Sequence, residues 1–264
     1  MKKKSPIYIF LLCLFGALFL VSAVMLGIYF FQGQTQENRY EELSQLLPTV
    51  ERPAIGQPQP EETPPETVTI DGRQILPRFL QLYQLNSDIV GWLQIPGTKV
   101  DYPVMQTPED MEYYLSRNFD RERSSRGCLF VQGEADVFEP SDNLTIYGHR
   151  MKDGTMFGQL EKYKKQDFFQ ENRYIYFDTL EAVHTYEILA VFKTTASIGE
   201  GFAYHEFVEA ADAEEFDAYV ATCKSLALYD TGVEAVYGDK LITLSTCEYS
   251  QTNGRLVVVA KQVA

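Results

Sequence analysis

The sequence predicts a mainly β protein: an eight-stranded closed β-barrel with inserted helices, preceded by one N-terminal transmembrane helix. Two observations carry this. Residues 7–31 hold no charged side chain, a run that at 1.5 Å per residue exceeds the roughly 30 Å hydrocarbon core of a bilayer. From Ile89 onward the apolar residues come in short β-branched and aromatic runs punctuated by Gly, Pro, Asn and Asp. The runs at 89–95, 100–105, 127–132, 143–147, 174–178, 184–192, 240–246 and 255–263 number eight, and closing them on themselves removes exposed strand edges.

Taken in chain order, Lys2, Lys3 and Lys4 precede the apolar run and favour a cytoplasmic N-terminus, residues 1–6, with the remainder outside the cell. A cleaved signal peptide has an apolar region of about 7–15 residues, so 7–31 reads as a retained anchor and the protein as a single-pass cell-membrane protein. Residues 32–74 are acidic and rich in Gln, Glu and Pro, the composition of a stalk that buries too little apolar surface to fold. A short helix is expected within it at 39–47, where Tyr40, Leu43 and Leu47 fall at helical spacing. The globular part is expected at 75–264, opening on a helical stripe of Ile75, Phe79, Leu82 and Leu85. Further helices are expected at 108–117 and at 213–227, the latter with Phe216, Val220, Cys223 and Ala227 on one face.

Charge removes one class of function. Setting aside the three lysines before the span leaves 20 basic residues of the chain's 23 against 37 acidic ones, a formal charge of −17. Nucleic-acid binding needs clustered cations, so nucleic acid is not an expected partner. Outside the span the cysteines are Cys128, Cys223 and Cys247, an odd number that leaves at least one thiol unpaired in an oxidising compartment. Cys128 lies inside an apolar strand and Cys223 on an apolar helix stripe, where cysteine packs as a small hydrophobe. Cys247 differs: it ends the run Leu241-Ile242-Thr243-Leu244-Ser245-Thr246-Cys247 and is followed by a polar loop.

That position suits a nucleophile. Strand alternation puts Thr243, Ser245 and Cys247 on one face, and Arg255 opens the next strand as Cys247 closes the previous one. Paired as antiparallel neighbours, the two meet at one end, where a guanidinium that never loses its charge can stabilise a developing oxyanion. His149, after the run Leu144-Thr145-Ile146-Tyr147-Gly148, also follows a strand end, and imidazole can serve as acid and base near neutral pH. His184 and His205 lack this strand-Gly-His pattern and are expected to be solvated; the spacing of the three histidines suits no metal site.

The segments TLSTC at 243–247, YGH at 147–149, RLVVVAK at 255–261, IVGWLQIPGT at 89–98 and DGTMFGQL at 153–160 resemble the class B sortases, membrane-anchored cysteine transpeptidases of Gram-positive bacteria. The resemblance runs from about Ile75 to the C-terminus, and a helix before the last two strands is a mark of class B. It implies a sortase-type barrel with Cys247, His149 and Arg255 as catalytic residues and no metal or organic cofactor. It also implies that Leu115, Tyr147, Ser245 and Glu248 contribute to a peptide groove. The implied partners are surface proteins bearing a C-terminal sorting signal of the N/S-P-x-T-G/N/S kind, cleaved after threonine through a Cys247 thioester, and an amine of the peptidoglycan precursor. Two features depart from the family: the loop from Cys247 to Arg255 is short, and Cys128 and Gln132 stand where Ser and Asp are usual. Three alternatives stay open from sequence: a pilin lysine as acceptor, water as acceptor, and a non-catalytic adhesion module on the same barrel.

Overall fold

The computed structural model describes residues 6–50, 52, 66–70, 72–197 and 199–264. The lysines expected to hold the N-terminus in the cytoplasm, and residues 53–65 of the expected stalk, lie outside the described residues. Helix α1 (Pro6–Gln45) contains the apolar run, is long and apolar enough to cross a membrane, and leaves the large apolar side chains between Ile7 and Phe31 exposed, whereas Tyr40 and Leu43 near its end are buried. It continues past Phe31, so the short helix expected at 39–47 is the end of one continuous helix rather than an island in an extended stalk. The reason is compositional: the first proline after the apolar run is Pro48, and Gln, Glu, Arg and Leu before it are good helix formers. One compact unit ends at Glu42 and a second spans Leu43–Ala264. A small antiparallel hairpin, β1 (Val68–Ile70) and β2 (Arg73–Ile75), turns at Gly72 with φ +83° and occupies the end of the expected stalk.

The barrel strands are β3 (Ile89–Gln94), β4 (Asp101–Met105), β5 (Leu129–Val131), β6 (Asn143–Tyr147), β7 (Tyr174–Thr179), β8 (Thr185–Thr195), β9 (Leu241–Cys247) and β10 (Gly254–Gln262). They close in the order β10-β8-β7-β3-β4-β5-β6-β9. Most neighbours are antiparallel; β4 with β5 and β6 with β9 are parallel. The parallel β6–β9 pair matters most for function, because it brings the C-terminal ends of both strands to one end of the barrel. Its crossover carries α2's later counterparts: after α2 (Leu80–Leu85), which precedes β3, come α3 (Gln166–Glu171) and α4 (Ala213–Leu226). Helix α4 lays Phe216, Tyr219, Val220 and Cys223 into a cluster with Phe192, Leu241, Val257 and Val259 of the barrel wall.

One expectation needs correcting, and one element has no counterpart in the sequence reading. The helix expected at 108–117 is only a 3-10 turn, Tyr113–Ser116. Its carbonyls are taken by other segments instead of by the next helical turn: Cys128 N donates to Tyr114 O at 2.9 Å and Ser124 N to Ser116 O at 3.0 Å. The helical segment before α3 was not expected at all, and it is a 3-10 helix, Phe157–Lys164, burying Phe157, Leu160 and Tyr163. A spacing of three is the 3-10 repeat and does not produce an α-helical stripe.

Candidate active site

Three consecutive strands build the site. Tyr147 of β6 pairs with Ser245 of β9, and His149 follows two residues beyond this last pair, at the end of β9 that carries Cys247. On the other side of β9, Arg255 of β10 pairs directly with Cys247. The structure thus brings His149, Cys247 and Arg255 to one end of the barrel, where all three line a cleft of about 450 Å³. Leu115, Tyr147 and Ser245 line it too.

Gly148 fastens the histidine segment to the cysteine strand. Its N–H donates to Ser245 O at 3.2 Å, and its carbonyl accepts from Thr246 Oγ1 at 2.7 Å. A side chain has no room here: a Cβ on Gly148 would lie 2.4 Å from Leu129 Cδ2 and 2.7 Å from Phe157 Cδ2. The carbonyl of His149 accepts from Phe157 N at 3.0 Å, and its imidazole Nε2 lies 2.7 Å from Leu115 O.

Cys247 is half-buried, and no disulfide joins the described cysteines. Arg255 donates to the backbone carbonyls of Gly254 at 3.1 Å and Asn253 at 3.3 Å, and among the described residues no carboxylate pairs with it. Beneath the thiol, Ser245 Oγ shares a 2.6 Å hydrogen bond with the hydroxyl of Tyr204. Burial pushes the phenols of both Tyr204 and Tyr147 up, so the cleft floor keeps neutral hydroxyls beside Cys247.

Glu248 does not behave as a groove residue. Its buried carboxylate accepts from Lys164 Nζ at 2.5 Å, from Ser250 N at 2.8 Å and from the Ser250 hydroxyl, and it is absent from the cleft wall. Burial alone would raise its pKa, but these hydrogen bonds lower it to about 2. The physical reason is that the chain turns back after Cys247, with Glu248 N donating to Gly254 O at 2.8 Å.

His205, set aside from sequence as solvated, lines the cleft. Its backbone carbonyl accepts from Gln132 Nε2 at 3.0 Å, tying the segment after β8 to the opposite wall. No strand end marks this residue in sequence; the adjacent aromatic Tyr204 was the only local signal. His184 is also not simply solvated: it is half-buried, its Nδ1 is 3.1 Å from Gln262 Nε2, and burial lowers its pKa. Cys128 is buried with its thiol 3.7 Å from Pro103 O, and burial pushes the Cys223 thiol up to about 12. Both therefore pack as core residues, and burial keeps the Cys223 thiol protonated. Gln132 and Gly133 stand in the cleft wall, with Met111 and Leu115 supplying its exposed apolar part.

A thiol, an imidazole and a guanidinium at one end of adjacent strands are groups that could support acyl transfer through a cysteine, and the comparisons with known proteins give the family. The sortase domain family matches residues 93–263. The chain belongs to the sortase family and is a cysteine transpeptidase of the class B type. It is 33% identical over 189 residues to sortase B of Staphylococcus aureus, covering 71% of this chain and 75% of that protein. Among solved structures, sortase B from Bacillus anthracis in complex with AAEK1 superposes with a TM-score of 0.70 at 32% identity, over 89% of this chain and 99% of that one. A Staphylococcus aureus sortase B–substrate complex superposes with a TM-score of 0.66 at 32% identity, over 72% and 86%.

Proposed function

We propose that this chain cleaves a C-terminal sorting signal of the N/S-P-x-T-G/N/S kind after threonine and transfers the threonyl group to an amine of peptidoglycan. The sulfur of Cys247 attacks the threonine carbonyl, and the tetrahedral oxyanion accepts hydrogen bonds from Arg255. His149 gives a proton to the departing amine, leaving a thioester on Cys247. It then takes a proton from the incoming amine, whose nitrogen displaces the sulfur and forms the new amide. Leu115, Tyr147 and Ser245 shape the groove that holds the signal. Helix α1 anchors the enzyme, with residues 1–6 cytoplasmic and the barrel outside the cell.

The observation that carries this reading is the strand register: Cys247 opposite Arg255, with His149 just past the last pair of the parallel β6–β9 ladder and lining the same cleft. The relative solved as a sortase B–substrate complex supports a substrate-binding role for this chain.

Intact mass spectrometry of the full-length chain in detergent, incubated with N-P-x-T-G, S-P-x-T-G and N-P-x-T-N peptides with and without an added amine, tests it. A threonine-truncated peptide is expected on the wild-type protein, discharged by amine into a new amide, with no adduct on Cys247→Ala. Discharge by water that amine does not divert would make the enzyme a peptidase. Binding without an adduct by any peptide would count against catalysis on these signals.

A further inference from the structure

We infer that the backbone carbonyl of Leu115 fixes the tautomer of His149, so that Nε2 keeps its proton throughout and Nδ1 alone moves protons. This rests on the acid and base role proposed above for His149. A carbonyl oxygen has lone pairs and no hydrogen, so a 2.7 Å approach of Nε2 is favourable only when Nε2 carries the proton. That holds for the neutral ring and for the imidazolium alike. The proton that comes and goes is therefore the one on Nδ1. A proton from the Cys247 thiol, or from the attacking amine, adds to Nδ1 of the neutral ring and gives an imidazolium with both nitrogens protonated. The same Nδ1 proton passes to the departing amine, and the Nε2–H bond to Leu115 is never broken.

Both ends of this bond are held. On the carbonyl side, Leu115 lies in the 113–116 turn, with its own N–H donating to Glu112 O at 3.0 Å. Its neighbours' carbonyls are bound to Cys128 N and Ser124 N, and the Tyr114 hydroxyl donates to Asp88 Oδ2 at 2.6 Å. Gly127 leaves the space: it sits at φ +58°, and a Cβ there would lie 2.6 Å from Leu115 O and 2.7 Å from Tyr114 O. On the ring side, Gly148 is bonded twice to β9 and His149 O accepts from Phe157 N. Leu115, expected from sequence to contribute a groove side chain, thus has a second part as a positioning residue through its main chain.

Long-range proton–nitrogen NMR of the full-length chain labelled with 15N-histidine tests this, at a pH above the imidazole titration and with His149→Gln identifying the signals. The expected result is a protonated-type nitrogen shift on Nε2 and an unprotonated one on Nδ1. A protonated Nδ1 overturns the inference. Replacing the peptide bond between Leu115 and Ser116 by an ester weakens the carbonyl as an acceptor without adding bulk. The tautomer should then become mixed, with kcat falling by about threefold to tenfold and KM unchanged. Gly127→Ala, which pushes on the same carbonyl, should move the NMR signature in the same direction; if it does not fold, the ester decides. A tautomer and kcat that the ester leaves unchanged also overturn the inference. Peptide transfer is read on the same samples: an enzyme that still forms its Cys247 adduct with an Nδ1–H ring sinks this inference alone, whereas loss of the wild-type adduct tells against the proposed function.

Discussion

Glu248 follows the thiol in sequence, yet its carboxylate is spent on Lys164 and Ser250. Among the described residues that leaves Arg255 bonded only to backbone carbonyls, with further N–H groups available to an oxyanion. Arg255→Lys keeps the charge and loses the planar fork, so single-turnover acylation should slow by about 10²–10³-fold with little change in stability; retention within a fewfold would remove the oxyanion role. Glu248 itself acts on stability. Its folded pKa of about 2 lies below the ordinary 4.5, so its contribution is present above pH 4.5 and disappears as pH falls towards 2. Glu248→Gln should lower the urea midpoint at neutral pH and flatten the loss of stability across that acid window. An unchanged acid slope would mean that the Lys164 pair does not persist in solution.

Between strands, the spacing of His149 from Cys247 depends on one glycine. Gly148→Ala would drive a methyl group into Leu129 and Phe157, costing about 1–3 kcal/mol. Because Gly148 also bonds Ser245 and Thr246, acylation should fall further than the fraction folded does, a difference that urea unfolding and transfer assays on one preparation will resolve. Helix α4 has a separable requirement: Asp212 Oδ1 caps Glu215 N at 3.0 Å, and Glu215 Oε2 accepts from Ala211 N at 2.8 Å. Asp212→Ala should cost about 1 kcal/mol in urea unfolding and leave transfer intact. Much of this was legible in sequence, because strands announce themselves by short runs between turn residues and an antiparallel β9–β10 pair necessarily puts Arg255 beside Cys247. What was not legible depends on contacts distant in sequence. The parallel pairing of β6 with β9 joins strands nearly a hundred residues apart, Tyr147 with Ser245, and local pattern carries no trace of it. The segment at 108–117 has a helical composition that tertiary hydrogen bonds to Cys128 and Ser124 override, and His205 reaches the cleft only because the chain after β8 folds back over it.

For the molecule as a whole, the segment leading into the barrel does more than span a distance. Arg52, in a stretch whose composition reads as stalk, donates through Nη1 and Nη2, each at 2.9 Å, to the two carboxylate oxygens of Asp178 on β7. Its guanidinium also lies 4.0 Å from the ring centre of Tyr176, and Nη1 reaches His184 O at 3.3 Å. Asp178 is only 2% exposed and is also bonded by Arg78 Nη1 at 3.0 Å, so one buried carboxylate serves two guanidinium groups. Burial lowers the Arg78 pKa, and the neighbouring Arg52 charge adds to that, which limits how much the second arginine can contribute. Removing Arg52 therefore takes away good charge-assisted hydrogen bonds while Arg78 still balances Asp178, a loss of about 1–3 kcal/mol rather than the larger penalty of an unpaired buried charge. Arg52→Met in the full chain should lower the urea midpoint accordingly. A chain beginning at residue 66 should be less stable than one beginning at residue 43 by more than this, because it also loses the buried Leu43 and the 3.1 Å hydrogen bond from Ser44 Oγ to Asp101 Oδ2. Neither change touches the cleft, so transfer of soluble peptides at temperatures well below unfolding should proceed at the same rate. Equal stability of the two truncations would show that the Arg52 contact contributes nothing in solution, and would return the folding boundary to the position near residue 75 that composition alone suggests.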